Sequence, residues 1–253
     1  MNSNKLIKLI IAASLSLSIT SPSLAVDPKA KREIFYAYEK SVFGLKGTLK
    51  ISANYQGQTR NEEAKIWSNA TNIGKGLLVV AYSSISPNFP GGPNVQITKE
   101  ITDLKLVNST GIEFDAKLVL HDEDLDLAYI AVDPKGKNIA NWKDQIIDTS
   151  NNTDLKHFDE TINISRYAEH FDYQSAVTVG TVSSIQEKPR KLYQVLNSSM
   201  SAPSFNNNGY FIGITISRVS KAGHNQASTP VTIPAKYIRK FIPIAIQHQA
   251  KLK

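Results

Sequence analysis

Any catalysis by this chain has to come from hydroxyls, carboxylates, imidazoles or amines. Its 253 residues include no cysteine. That removes a thiol nucleophile, a thiolate metal site and a disulfide framework. Ser198, Ser199 and Ser201 crowd around Met200. A serine is a useful nucleophile only beside a base that takes its proton. The histidines that could act as one are His121, His157, His170, His224 and His248. No two are spaced i, i+4, so a helical zinc pair is not expected, and each reads as a surface or satisfied polar residue. The run Asp122-Glu123-Asp124, followed by Asp126, lacks the glycine and the closing bidentate glutamate of a calcium loop. It reads as a charged turn before a buried strand. No metal and no cofactor are expected.

The elements that must position these residues are mostly strands. Gly47 to Tyr55 alternates, with Leu49, Ile51, Ala53 and Tyr55 on one face. Further short strands are expected at 64–67, 76–82, 95–101, 104–107, 113–120, 125–132, 161–164, 175–185, 192–196 and 210–217. Pro90-Gly91-Gly92-Pro93 signals a turn. Asp27 to Val42 can form a short helix with Ile34, Ala37 and Tyr38 together. Ala235 to Gln249 follows Pro234 and carries an apolar stripe of Ile238, Phe241, Ile242, Ala245 and Ile246, so a helix is expected there, kinked at Pro243. Many short strands closed by one helix predict an all-β fold. The Asn- and Asp-rich stretch after Asp133 reads as a connection between two halves.

The composition is that of a globular chain, 41% hydrophobic and 20% charged, with a formal charge of +7. This excludes collagen, a coiled coil and a largely disordered chain. No dense basic stripe interleaves with aromatics, so nucleic acid is not an expected partner. Lys188-Pro189-Arg190-Lys191 reads as a solvated loop. The first 25 residues have the form of a secretory signal: Lys5 and Lys8, then apolar Leu9 to Ile19, then Ser23-Leu24-Ala25 at a cleavage site. The apolar stretch is too short to span a bilayer of roughly 30 Å. The expectation is an exported protein, periplasmic or secreted, with no stable membrane span after cleavage.

Three stretches bear a family resemblance. Gly111 to Val119 leads into His121-Asp122-Glu123-Asp124-Leu125-Asp126-Leu127-Ala128. Val177-Thr178-Val179-Gly180-Thr181-Val182-Ser183 follows. Pro203 to Ile214 then reads P-S-F-N-N-N-G-Y-F-I-G-I, and Val231-Thr232-Ile233-Pro234 enters the closing helix. In this order and at these separations they resemble the trypsin-like serine peptidases, in particular the bacterial HtrA type without its PDZ domain. The resemblance covers most of Gly47 to Gln249. It implies two antiparallel six-stranded β-barrels and a C-terminal helix. The expected organisation is a signal peptide at 1–25, an N-terminal barrel at 26–140, a linker at 141–153, and a second barrel with the helix at 154–253.

The resemblance also implies where a catalytic triad would stand, and there the pattern is degenerate. The triad needs an attacking serine, a histidine base and an orienting aspartate. The aspartate position is Asp126. The nucleophile position holds Met200, whose thioether has no proton to lose. The histidine position aligns with Ser84, and no histidine precedes His121. Ser198, Ser201 and Ala202 replace glycines of the oxyanion loop. The base of the primary specificity pocket aligns with the uncharged Gln194, and the strand that pairs with substrate aligns with Ile216, Ser217 and Arg218. β-Strand addition uses main-chain groups, so it can outlive the triad. The expected function is that of an inactive pseudo-peptidase binding a peptide or protein between the barrels. The alternatives are an active serine endopeptidase with an unrecognised triad and a structural envelope protein.

Overall fold

The computed structural model describes residues 27–89, 95–143, 145–219 and 228–252. The signal segment, the Pro90–Pro93 turn and His224 lie outside the described residues. The first barrel contains β1 (Val42–Tyr55), β2 (Gln58–Gly74), β3 (Leu77–Ala81), β4 (Val95–Val107), β5 (Glu113–Asp122) and β6 (Leu127–Val132). It closes in the order β1-β2-β3-β6-β5-β4. The second contains β7 (Glu160–Arg166), β8 (Ser175–Gln186), β9 (Leu192–Leu196), β10 (Pro203–Phe205), β11 (Phe211–Val219) and β12 (Ser228–Pro234). It closes as β10-β11-β12-β9-β8-β7. Helix α1 (Pro28–Tyr38) precedes the first barrel and α2 (Ala235–Gln249) follows the second. Asp27 caps α1 by accepting from the Lys29 N–H.

Alternation explains the barrels and their seam. Phe43, Leu45, Leu49, Leu78, Val80, Leu106, Phe114 and Ile130 fill the first barrel. The opposite faces of β3 and β6 carry Leu77, Val79, Leu127 and Tyr129. These pack against Ile162, Ile164, Phe205, Ile214, Ile216 and Ile233 of the second barrel. Strands buried on both faces are apolar throughout, which is why these two lack a polar alternation. Ile34 of α1 and Ile238 and Ala245 of α2 join the same cluster. The Tyr129 hydroxyl donates to the Ile238 carbonyl at 2.7 Å, fixing α2 to the first barrel.

Several elements differ from the sequence reading. β2 runs from 58 to 74 rather than 64 to 67, because its first residues stand in an exposed hairpin and its last are polar groups buried at the seam. β4 is continuous through Asp103, which takes a φ of 54° beside the β1 bulge at Lys46/Thr48. β10 and β12 are not among the strands expected from the sequence. The connection between the barrels is not solvated throughout. Ile147 is buried, and its N–H donates to the Asn72 carbonyl of β2.

A buried cation ties the two halves together at one end. Arg166, at the end of β7, donates to the carbonyls of Val42, Tyr173 and Glu39 at 2.7–2.8 Å. Burial pushes its guanidinium down to about 10, opposed by the charge of Glu39.

Candidate functional site

The charged turn between β5 and β6 is built to present one carboxylate. Asp122 accepts from the Leu125 N–H, and the Asp126 N–H donates to the Glu123 carbonyl. Asp126 then takes a φ of 56° and turns inward, leaving 5% of its surface exposed. Its Oδ1 accepts from the Ser83 N–H at 2.6 Å. Its Oδ2 accepts from the Ser83 hydroxyl at 2.8 Å and from the Ser217 N–H at 2.7 Å. Burial raises the Asp126 carboxyl above its usual range, while the Ser83 and Ser217 bonds and the nearby Arg218 charge pull the other way. One carboxylate thus joins a turn of the first barrel to β11 of the second.

The serine that touches Asp126 is Ser83, one residue before the aligned Ser84. Both lie in a tight 3-10 turn, Tyr82–Ser84, after β3. In such a turn neighbouring residues point about 120° apart, so the two hydroxyls face different ways. The Ser84 hydroxyl reaches the Ala81 carbonyl at 2.6 Å, Ser68 Oγ at 2.7 Å and Ser201 Oγ at 3.1 Å. Ser201 Oγ also accepts from the Ala81 N–H at 2.9 Å and from the Ser68 hydroxyl at 3.0 Å. Three serines from β2, the turn and the Met200 loop therefore form a buried knot across the seam.

Met200 sits against this knot, half-buried and packed on the inter-barrel core. Its carbonyl accepts from the Asn69 side-chain amide at 3.0 Å, while the Asn69 side-chain oxygen accepts from the Arg166 N–H at 2.7 Å. The hydroxyls around Met200 do not converge on a base. Ser198 donates to the Val195 carbonyl, and Ser201 is fully buried in the knot. Ser201 keeps a left-handed backbone, φ 60°, a conformation that glycine adopts most easily. Its N–H donates to the Thr215 carbonyl at 2.8 Å. Those main-chain and side-chain bonds offset the cost of that conformation, about 1–2 kcal/mol.

The residues aligned with peptide recognition are less uniform. Ile216 pairs with Val231 and is fully buried in the inter-barrel core, so its side chain is not part of a cleft surface. Ser217 pairs with Pro230, which has no N–H, and turns its own N–H to Asp126. Its neighbours Ile216 and Arg218 therefore aim their main-chain groups at β12. Arg218 reaches back to the first barrel and donates to the Asp124 carbonyl at 2.6 Å. Arg190 donates to the same carbonyl and pairs with the Asp124 carboxylate. Gln194 is half-buried on β9, with its carbonyl accepting from the Ser183 hydroxyl.

One described histidine, His121, stands beside the Tyr82–Ser84 turn. His121 stacks on Tyr82 with ring centroids 4.4 Å apart. His248 Nδ1 meets the Val119 carbonyl at 2.9 Å. No group of three or more potential metal ligands occurs among the described residues. No described helix is long and apolar enough to cross a membrane. Sequence reasoning missed Ser83, Ser68 and Asn69. Ser83 carried a signal through its place beside the aligned position; the other two carried none.

Comparison with known proteins places this architecture. No family model matches the chain, and no curated protein matches it. Solved structures do. The HtrA-type protease AlgW, as a variant determined with a decapeptide, superposes with a TM-score of 0.61 at 16% identity, over 87% of this chain and 67% of that one. The same protease with a tripeptide gives 0.57 at 16% identity, over 87% of this chain and 64% of that one. The chain spans about two thirds of the length of these structures. The fold is the trypsin-like double barrel found in HtrA-type proteases.

Proposed function

We propose that this protein is an exported pseudo-peptidase, catalytically silent, that holds an extended peptide or protein segment in the cleft between its barrels. The observation that carries the first part is the occupancy of Asp126. In a working triad this carboxylate orients an imidazole. Here it accepts from Ser83 and Ser217 instead, and Ser83 has no basic nitrogen. Met200, at the aligned nucleophile position, offers a thioether, and Ser201 spends its hydroxyl inside the seam. An alternative dyad would need a free hydroxyl beside a base; His121 stacks on Tyr82 of the same turn, but the Ser83 hydroxyl donates to Asp126 and the Ser84 hydroxyl to the Ala81 carbonyl.

The purified protein is expected to leave unfolded casein uncut at the level of a Met200→Ala control. Met200→Ser alone is expected to restore nothing, because the base is still missing; losing such a group costs on the order of 10⁶ in turnover. Casein hydrolysis abolished by Ser198→Ala or Ser199→Ala would favour the endopeptidase reading.

Peptide binding rests on the AlgW structures, which carry a decapeptide and a tripeptide. Here the open main-chain acceptor on β11 is the Ser217 carbonyl. Ile216→Pro is a poor test, since it would break the pairing with Val231 and disturb the core. Titration of unstructured peptides, followed by amide chemical shifts, is the cleaner measurement. Shifts at Ser217, Arg218 and Gln194 support the reading. A seam unmoved by saturating peptide favours a structural role, consistent with how fully the barrels are stitched at Asp126, Ser201 and Arg166.

A further inference from the structure

A second groove lies on the outer face of the first barrel. Strand register builds its floor. Trp67 of β2, Lys46 of β1 and Lys105 of β4 stand opposite one another across three strands, and Lys65 pairs with Thr48 in the next row. Their neighbours Ile66, Leu45 and Leu106 point into the core, so alternation turns this row outward. The roof is the segment after β7: Ala168, Glu169 and Tyr173 close over the floor, with the Tyr173 ring 5.8 Å from that of Trp67. The cavity holds about 480 Å³.

The charges in the groove are unevenly placed. Lys46 and Lys105 share one carboxylate, Glu113, just beyond the lining. They hold it below its usual range through hydrogen bonds from Lys46 and then Lys105. Two cations on one carboxylate leave a positive surplus. Lys65 donates to the Thr48 hydroxyl at 3.3 Å, a neutral partner. Asp103 and Glu169 complete the charged lining. Three lysines face three carboxylates overall, and Lys65, two residues along β2 from Trp67, is the cation bonded to a neutral hydroxyl.

The strand beside the floor has an open side. β2 pairs with β1 from Gln58 to Thr71 but with β3 only from Thr71 onward. Among the described residues, Gln58 to Trp67 have no strand on their other edge. Alternate N–H and C=O groups there are available to an extended chain. A chain paired with that edge would place alternate side chains over the row that carries Lys65 and Trp67.

We propose that this groove binds an extended acidic peptide segment, which adds a strand to the free edge of β2. It seats a carboxylate near Lys65 and, two residues along, an apolar or aromatic side chain against Trp67 and Tyr173. The proposal deepens the peptide-binding reading above but uses a different edge from β11, so each can fail alone. The probe is a fluorescein-labelled nonapeptide with a central Glu-Val-Phe, which puts Glu and Phe on one face, flanked by alternating Thr and Val and titrated into the full protein. Three controls accompany it: Gln for Glu, Ala for Phe, and N-methylation of alternate amides.

The proposal expects saturable binding that weakens about fivefold or more with the Gln peptide and with Lys65→Glu, and that falls with added salt. Lys65 is exposed, so its variant is expected to fold. Tyr173→Ala is expected to weaken binding of the Phe peptide more than of the Ala peptide. N-methylation is expected to abolish binding. Binding that ignores Lys65→Glu but responds to Arg218→Ala would overturn the groove and support the β11 cleft. Absence of binding at millimolar peptide would overturn the groove while leaving the catalytic reading untouched.

Discussion

At the scale of single residues, the site is governed by what each polar group bonds to. Ser201 shows how this works. Its backbone is left-handed, which a glycine would tolerate better, yet its hydroxyl meets Ala81, Ser84 and Ser68. The two effects can be separated. Ser201→Ala keeps the backbone strain and leaves the buried Ala81 N–H without its acceptor, a loss of about 1–3 kcal/mol. Ser201→Gly loses the same bonds but relaxes the backbone. Urea unfolding is expected to rank wild type above Ser201→Gly, and Ser201→Gly above Ser201→Ala. A glycine variant at least as stable as wild type would mean that the serine knot contributes little. The sequence pointed to Asp126 and Met200 because family motifs flank them closely. It could not point to Ser83 over Ser84, because a tight turn decides which of two adjacent hydroxyls faces the carboxylate. Ser68 and Asn69 were hidden for a different reason. Polar residues in a strand read as exposed, and only the approach of the second barrel buries and satisfies them.

At the scale of elements, strand legibility tracked burial. β6 was readable as a short apolar run because both of its faces are covered. The start of β2, Gln58 to Glu63, was not, because exposed residues carry no inside–outside pattern. β10 has three residues, too few for any periodicity. Gly213 is where a family motif coincides with a packing need. A Cβ there would lie 1.8 Å from the Ile233 carbonyl oxygen, so the closeness of β11 to β12 requires glycine. The Lys46–Glu113–Lys105 group makes a pH prediction for the junction of β1, β4 and β5. Glu113 is held below its ordinary value of 4.5 by the hydrogen bonds from Lys46 and Lys105. A carboxyl lowered on folding contributes stability above its unfolded value and loses it as pH falls through the folded one. Stability measured from pH 6 downward should therefore decline less steeply below about 4.5 in Glu113→Gln than in wild type. An unchanged acid limb would show that these half-exposed ions are screened by water.

At the scale of the molecule, two barrels meet along one apolar cluster and several polar stitches: Asp126 to Ser217, Ser201 to Ser84, Asn69 to Met200, and Arg166 to Val42. The fold class was legible because the order of motifs, strand spacing and a closing helix all agreed. What the fold does with its cleft was not, since a trypsin-like scaffold carries chemistry only where particular side chains supply it. The central claim is that no serine here is activated. It is tested most directly by treating the purified protein with a fluorophosphonate probe and locating any adduct by mass spectrometry. No labelled serine is expected, in wild type or in Met200→Ser. A stoichiometric adduct on Ser198, Ser199 or any other serine of the native protein, lost on unfolding, would contradict it.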